Sequence, residues 1–393
     1  MLKQKRVAIM GTGKIAGVMA STLKKMKNVK CYGVASRSEE KAQKFANEYG
    51  IKVAYASYEE MMLDDKIDLV YIATPHSEHY ANMKLCIENG KNVLCEKAFT
   101  VNKAQAEEIF ALAKEKGVFI TEAMWTRYMP LLTYIRGTLS SGIIGDPTML
   151  ICNLAYNVAD KQRLVDPMLA GGALLDLGVY TINFAAMMFG TDIDKITSTC
   201  TKTDTGVDEA NSITFIYKDG KMAILNSTMK AVSDRRGVIY GTHGYIVVEN
   251  INNFESVTVY DLNHKPIKTM KAPKQITGYE YEVISSFEAM EKGELECWEM
   301  PHNETLRIME IMDGLRREWG IKYPFETETQ DVPAVVCSEV YEDSNNTAAS
   351  EQKMELVKVD EVIMLGDTVV ELEKDVIDDF LNENSGEEVS AES

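Results

Sequence analysis

No apolar run in this 393-residue chain approaches the ~18–20 residues of a membrane-spanning helix, so an integral membrane protein is not expected. The seven cysteines (Cys31, Cys86, Cys95, Cys152, Cys200, Cys297 and Cys337) are odd in number and scattered, with no CxxC and no metal-ligand spacing. That argues against a disulfide framework and against a zinc site or other bound metal, and it favours a reducing cytoplasm. There is no basic stripe and no groove of interleaved aromatic and basic residues, so nucleic acid is not an expected partner. The opening MLKQKRVAIMGTG is basic and then apolar, but only VAIM separates the charges from the glycines. It reads as a strand, not as a targeting segment.

What is present is acidity, and it is concentrated. The net charge is −18, of which residues 331–393 carry −15 from eighteen acidic and three basic residues. Residues 1–330 are close to neutral, at −3. The length suits two or three domains: a nucleotide-binding domain over 1–122, a second domain over 123–330 and an acidic extension over 331–393. Within that extension TAASEQ and NSGEEVSAES have linker composition. Leu372, Val376, Phe380 and Leu381 form a helical stripe, and VIMLGDTVVELE reads as a strand pair around LGDT.

The first 120 residues alternate strand and helix patterns. RVAIM, KCYGVAS, LVYIAT, NVLCEK and VFITEA read as strands. Between them lie helical patterns over 14–27, 38–49, HSEHYANMKLCIENG (with Gly90 as C-cap) and AQAEEIFALAKEKG. Continuous apolar strands alternating with helices predict a doubly wound parallel sheet of the α/β class. After residue 123 the pattern changes. Helices are expected over 131–141, 172–189, 280–292 and 302–319, and strands dominate 195–273, with KDGK (218–221) as a hairpin turn. This is an α+β domain with a large, mostly antiparallel open sheet. Helices cover one face of such a sheet, and the other is available for a homodimer.

GTGKIA follows the first strand and opens the first helix, matching G-x-G-x-x-G/A. Gly11 permits the tight turn, Gly13 lets backbone approach a pyrophosphate, and Ala16 keeps the helix close to the strand. Thr12, Lys14 and Ile15 complete the loop at the helix N-terminus, where N–H groups and the dipole favour phosphate. The second strand ends at Ser36 and Arg37, where an NAD site usually has an acid for the ribose 2′-OH. Arginine and serine instead suit a 2′-phosphate, so the expected cofactor is NADP in preference to NAD.

Ligands of such sheets bind beyond the carboxyl ends of the strands. Two strand ends there hold chemistry: Thr74, Pro75, His76 and His79 after one, and Glu96 and Lys97 after another. A packing or helix-start role is equally open for each histidine. A lysine at that crevice can hold a substrate oxygen or lower the pKa of a neighbouring phenol. In GGALLDLGVY (171–180), Asp176 and Tyr180 are four residues apart, which on an α-helix stacks them on one face. A polar pair among apolar neighbours needs a partner, and a substrate hydroxyl would be one.

GTGKIA, CEKAF, EAMWTRYMP and GGALLDLGVY, in this order and spacing, resemble the glucose–fructose oxidoreductase/inositol dehydrogenase family. Within it they resemble the branch of dihydrodiol dehydrogenase and NADP-dependent D-xylose dehydrogenase. The resemblance covers residues 5 to about 325. It implies a dinucleotide-binding domain followed by an α/β domain whose open sheet often forms a dimer interface. It also implies a catalytic role for Lys97, with Glu96 beside it and Asp176 further along. Many members have a histidine four residues after that aspartate; this chain has Tyr180, as the dihydrodiol branch does. None of the five histidines can fill the place. Many members also have proline after the lysine, often with a cis bond. Here it is Ala98, and a cis bond before a non-proline residue costs ~2.5–4 kcal/mol, so a shifted lysine is the consequence to look for.

The reading that follows is reversible hydride transfer between nicotinamide and a secondary alcohol or hemiacetal carbon of a sugar, polyol or trans-dihydrodiol. Tyr180 exchanges the hydroxyl proton, Lys97 lowers its pKa by stabilising the phenolate, and Asp176 orients the hydroxyl or Lys97. The reverse assignment, Lys97 as proton donor with Tyr180 orienting, stays open. Trp125, Arg127 and Tyr156 are the expected pocket walls. Two alternatives remain: an NAD-dependent inositol or amino-sugar dehydrogenase, and a non-catalytic cofactor-binding regulator.

Overall fold

Short runs of buried residues build the first half of the chain. In the computed structural model, β1 (Lys5–Met10), β2 (Val29–Ala35), β3 (Val53–Tyr55), β4 (Leu69–Ile72), β5 (Val93–Glu96) and β6 (Ile120–Ala123) form one sheet. Its order is β3-β2-β1-β4-β5-β6, every pair parallel. Helices α1 (Lys14–Lys25), α2 (Glu39–Tyr49), α3 (Tyr58–Met62), α4 (His76–Glu88) and α5 (Lys103–Lys116) connect the strands. β4 and β5 are buried along their whole length, as expected for strands covered on both faces. The strand order reverses between β1 and β4, which opens a crevice at their carboxyl ends. β3 and α3 escaped the sequence reading because a three-residue strand and a five-residue helix are too short to show a period. Gly90 has φ 66° and stands one residue beyond Asn89, the residue that caps α4.

The structure describes residues 4–326, together with the backbone of three short strands beyond residue 357. The chain divides into two compact units, Met1–Cys337 and Ser338–Ser393. In the first unit, an eight-stranded sheet follows the parallel one, built from β7 (Pro147–Ala155), β8 (Ile193–Lys202), β9 (Asp208–Tyr217), β10 (Met222–Thr228), β11 (Gly237–Gly241), β12 (Gly244–Glu249), β13 (Ser256–Asp261) and β14 (Pro266–Lys271). The order is β14-β13-β12-β11-β7-β10-β9-β8. Only the β7–β10 pair is parallel, so the mostly antiparallel expectation holds, with KDGK as the β9–β10 turn. β11 and β14 lie in the stretch 195–273 expected to be strand-rich, though not among the segments picked out there, and β7, which precedes that stretch, was not anticipated.

The helices of this half are α6 (Pro130–Ser140), α7 (Gln162–Val165), α8 (Val179–Phe189), α9 (Glu280–Lys292) and α10 (His302–Glu318). Residues Pro167–Phe189 are long and apolar enough to suit a membrane span, but 83% of that window is buried inside the protein, as in a core helix. One expectation fails here. Residues 174–178 are not α-helical but form a π-helical turn, with Val179 N–H donating to Leu174 O. Such widened turns are frequent at functional sites. The second unit contains the antiparallel pair β16 (Val362–Leu365) and β17 (Thr368–Glu371), as VIMLGDTVVELE suggested, with β15 (Lys358–Val359) beside it. The stripe from Leu372 to Leu381 and the two linker-like segments lie outside the described residues.

Buried polar groups tie the first unit together. Glu122 on β6 accepts from Phe99 N (3.1 Å) and from Thr305 Oγ1 on α10 (3.0 Å). Burial pushes its pKa up to about 7. A carboxyl whose folded pKa exceeds its unfolded value contributes most stability below the unfolded value and loses it as pH rises through about 7. Glu122→Gln removes the charge, keeps an oxygen to accept from Phe99 N and offers an N–H to Thr305 Oγ1, which then accepts. Thermal melts should therefore show the variant gaining on the wild type as pH rises from about 4.5 to about 7 and keeping that advantage above it, by ~1–3 kcal/mol on the scale of the shift. Parallel melting profiles of the two proteins across that range would refute this.

Candidate active site

The crevice begins where β1 turns into α1. Gly11 has φ 108°, and a Cβ there would stand 2.7 Å from Ala73 O at the end of β4. Only glycine permits both. Gly13 caps α1 without a side chain, and the first turn carries no acid. Its N–H groups and the positive end of its dipole therefore suit a phosphate. Ala16 is fully buried, holding α1 close to the sheet. Thr12, Lys14 and Ile15 lie on the same loop and first turn.

At the end of β2, Ser36 is buried and its Oγ accepts from Ser38 N. The Arg37 side chain is 71% exposed, and its Nη1 is 3.8 Å from Glu78 Oε1. A pair this long and exposed is easily exchanged for a stronger anion. Ser38 caps α2, so a second helix N-terminus opens beside Arg37.

The two histidines after β4 differ in how far the protein occupies them. His79 is fully buried, with Nδ1 2.9 Å from Ala98 O and Nε2 2.9 Å from Thr74 O. It is an internal strut, not the cofactor contact expected of it. His76 Nδ1 lies 3.1 Å from Ala170 O, and burial pushes its pKa down to about 3, so it is neutral and donates. Thr74 Oγ1 accepts from Asn82 Nδ2, and Pro75 starts α4. Glu96 likewise faces inward: it accepts from the Tyr71 hydroxyl and from Lys97 N. Burial pushes its pKa up, with the Tyr71 bond and the Lys97 charge opposing. It supports the strand end from behind, in place of the cofactor-binding role expected of it.

The Lys97–Ala98 peptide bond is cis despite the missing proline. Lys97 Nζ donates to Asp176 O (2.7 Å) and approaches Asp176 Oδ1 (3.4 Å). It also stands 4.6 Å from the centroid of the Tyr180 ring. Lys97, at the end of β5, thus meets Asp176 and Tyr180, some eighty residues further along the chain, at one point. Asp176 is buried, which alone would raise its pKa, but Lys97 and Arg163 hold it well below the usual carboxylate range. Tyr180 accepts from Trp125 Nε1 (2.9 Å), and the Trp125 ring stacks on Tyr279 at 4.0 Å.

One electrostatic expectation is reversed. Lys97 faces the ring of Tyr180, not its hydroxyl, and burial, with Tyr279, Glu96 and Asp176 adding to it, pushes the phenol well above its ordinary value. The phenol is therefore held protonated, as a donor. Arg127 is also not a pocket wall. It is buried, donating to Asn183 Oδ1 (2.7 Å) and Glu304 Oε2 (2.9 Å), and so joins the crevice to α8 and α10. Tyr156 is half-buried, donates to Asn252 Oδ1 (2.6 Å) and accepts from Arg235 Nη1 (3.3 Å). The sequence reading missed Arg163, Tyr279 and Tyr71. All three come from segments without a motif, and only the fold brings them here.

Residues 5–124 match the oxidoreductase family model of the GFO/IDH/MocA group with its NAD-binding Rossmann fold, and residues 132–247 match the group's C-terminal domain. The chain belongs to this family. Its relatives include the trans-1,2-dihydrobenzene-1,2-diol dehydrogenase of Xenopus laevis, 35% identical over 80% of this chain and 98% of that one. The NADP-dependent D-xylose 1-dehydrogenase of Hypocrea jecorina is 34% identical over 76% of this chain and 84% of that one. Among solved structures, an aldose–aldose oxidoreductase from Caulobacter crescentus has the same fold (TM-score 0.73, 20% identity, 81% of this chain and 98% of that one). So does a 3-ketoreductase from Actinomadura kijaniata, solved with NADP and TDP-benzene (TM-score 0.72, 22% identity, 80% and 97%). The family's Rossmann domain corresponds to the parallel sheet described above, and its C-terminal domain runs from α6 into β12 of the open sheet.

Proposed function

We propose that this family member is an NADP-dependent dehydrogenase that transfers a hydride between nicotinamide and a secondary alcohol or hemiacetal carbon of a sugar, polyol or trans-dihydrodiol. The observation that carries the reading is the meeting of Lys97, Asp176 and Tyr180 beyond β5, at the crevice of a nucleotide-binding sheet. The cradle at Gly11 and the uncapped start of α1 fit a dinucleotide. Gly11 to Ala16 would hold the pyrophosphate, Ser36 and Arg37 the 2′-phosphate, and the segment from Thr74 to His76 the nicotinamide side. When bound, the nicotinamide accepts or returns the hydride.

The side chains supply the rest. Tyr180, kept protonated by burial, gives its proton to a carbonyl oxygen in reduction and receives it back in oxidation. Trp125 N–H fixes the phenol oxygen by occupying one of its lone pairs. Lys97 favours the phenolate that forms during turnover, and Asp176 fixes Lys97 through its backbone and side-chain oxygens. Tyr279, half-buried and backed by the stacked Trp125 ring, is an aromatic side chain of the kind that covers sugar and dihydrodiol rings. A non-catalytic regulator would not need this proton-transfer group. Formation of reduced nicotinamide from D-xylose or a trans-dihydrodiol tests the proposal; confirmed NADP binding without turnover of any alcohol would favour the regulator.

Arg37 carries the cofactor preference. Arg37→Ala should raise KM for NADP about 10- to 100-fold, the loss of one charge-assisted contact, and leave KM for NAD nearly unchanged. Equal effects on both cofactors would remove the 2′-phosphate assignment.

We also propose a homodimer through the open sheet. On its outer face, Ile224, Ile151, Val238 and Val247 lie side by side on β10, β7, β11 and β12. Met149, Tyr240, Tyr245 and Tyr260 form a second row, with Tyr245 and Tyr260 stacked at 4.8 Å. Apolar ladders of this size favour burial against a second surface. Sedimentation should give twice the chain mass, and a monomer at micromolar concentration would contradict it. The scattered cysteines support a reducing, cytoplasmic setting.

A further inference from the structure

The turn that carries Asp176 rests on a buried polar chain from the open sheet. Asp208, on β9, is 1% exposed, and its Oδ2 accepts from Leu174 N, at the start of the π-helical turn, at 2.7 Å. Asn211 Nδ2 donates to the same oxygen (3.0 Å), and Ser227 Oγ donates to Asn211 Oδ1 (2.8 Å). Asn211 and Ser227 are both buried and are paired across β9 and β10, so the chain is anchored in the sheet itself. Burial pushes the Asp208 pKa up to about 6, while Asn211, the Leu174 N–H and Arg316 on α10 favour its charge.

The glycines that open this segment fit the same contact. Gly172 has φ 124°, and a Cβ on it would stand 2.3 Å from Asp208 Oδ1. Its bare backbone lets the carboxylate close on the start of the turn. The preceding residues are held as well. Gly172 N donates to Leu164 O on α7 (2.8 Å), His76 holds Ala170 O, and the Tyr323 hydroxyl donates to Gly171 O (2.7 Å). Asp208 differs in supporting the turn itself, two residues before Asp176.

What the turn delivers is a backbone atom. Lys97 Nζ donates to Asp176 O at 2.7 Å, a shorter contact than the 3.4 Å to Oδ1. A side chain can rotate to make up for a shifted backbone, whereas a carbonyl is fixed in its peptide plane and moves with it. Slippage of the turn is therefore passed to Lys97 and to its place 4.6 Å from the centroid of the Tyr180 ring. A misplacement of about 1 Å at a reacting centre can cost ~10²-fold in rate.

We infer that Asp208 is a positioning residue for hydride transfer: by holding the start of the π-helical turn from the open sheet, it sets Asp176 O against Lys97. The inference rests on the dehydrogenase reading above and adds to it a residue that no motif marks. Asp208 acts through the turn, not on the reacting atoms.

The test is a double-mutant cycle of Asp208→Ala and Lys97→Met. It is assayed with NADP and either trans-1,2-dihydrobenzene-1,2-diol or D-xylose, at alkaline pH, where Asp208 is charged. Thermal melts and the NADP dissociation constant establish that each variant folds and loads cofactor. Asp208→Ala alone should lower kcat about 10- to 100-fold, leave the NADP dissociation constant unchanged, and speed amide exchange in the peptide covering 171–180. In the Lys97→Met background the same substitution should cost less than about 3-fold, because the group it acts through is gone. Asp208→Asn keeps an acceptor for Leu174 N and should recover most of kcat. Asn211→Ala removes one donor to Asp208 and its link to Ser227. It should give the same pattern on a smaller scale, and it carries the test if Asp208→Ala does not fold. Equal losses in the two backgrounds, a normal kcat or unchanged amide exchange would overturn the inference and leave the dehydrogenase reading intact. A folded, NADP-loaded wild type that oxidises neither substrate would overturn both.

Discussion

Tyr180→Phe should lower kcat about 10²- to 10⁴-fold, the range for loss of a positioned acid–base group, and leave the NADP dissociation constant unchanged. The substitution keeps the ring beneath Lys97 and removes only the hydroxyl. It also takes away the acceptor for Trp125 Nε1, and a buried donor left unpaired costs ~1–3 kcal/mol. A lower melting temperature should accompany the lost activity. The two effects separate by assay: stability is read in the melt, chemistry in kcat at a temperature where the variant is folded. Near-normal kcat would remove Tyr180 as the proton carrier and shift that role to Lys97.

The second large effect is expected at Lys97. Lys97→Met should lower kcat by at least ~10²-fold and move the rising limb of the oxidation profile to higher pH. The sign follows from charge. Oxidation needs the phenolate as base, burial disfavours it, and a cation beside the ring favours it. With the cation gone, more hydroxide is required to reach the same phenolate fraction. Arg163 still pairs with Asp176 in the variant, so that carboxylate does not become an isolated buried charge. A profile that loses amplitude without moving would assign Lys97 to substrate orientation only.

Much of this was legible in the sequence because the fold repeats local rules. Continuous apolar strands, GTGKIA after the first, and the change of pattern past residue 123 gave both sheets. Lys97, Asp176 and Tyr180 stood out because polar residues interrupted apolar runs where a ligand crevice was due. Other features depend on contacts between distant segments, which no local pattern encodes. Arg163 has no motif and acquires its place only through the fixed loop around α7. Arg127 looked like a pocket residue beside Trp125, yet its partners Asn183 and Glu304 come from helices far along the chain. The two histidines after β4 were near the crevice, as expected, but backbone carbonyls claim both rings. The π-helical turn at 174–178 was invisible because its residues read as an ordinary helix. The pKa of Tyr180 was misjudged because proximity to Lys97 was weighed without burial, and burial is the larger effect.

The central claim is hydride transfer from a carbinol carbon, and isotope transfer tests it most directly. A 1,2-diol or aldose deuterated at the reacting carbon is incubated with the protein and NADP, and the reduced nicotinamide is examined by mass spectrometry. One deuterium per reduced cofactor is the predicted result, with transfer much slower in Tyr180→Phe. Reduced cofactor without deuterium, or no reduction by a protein that binds NADP, would contradict the account.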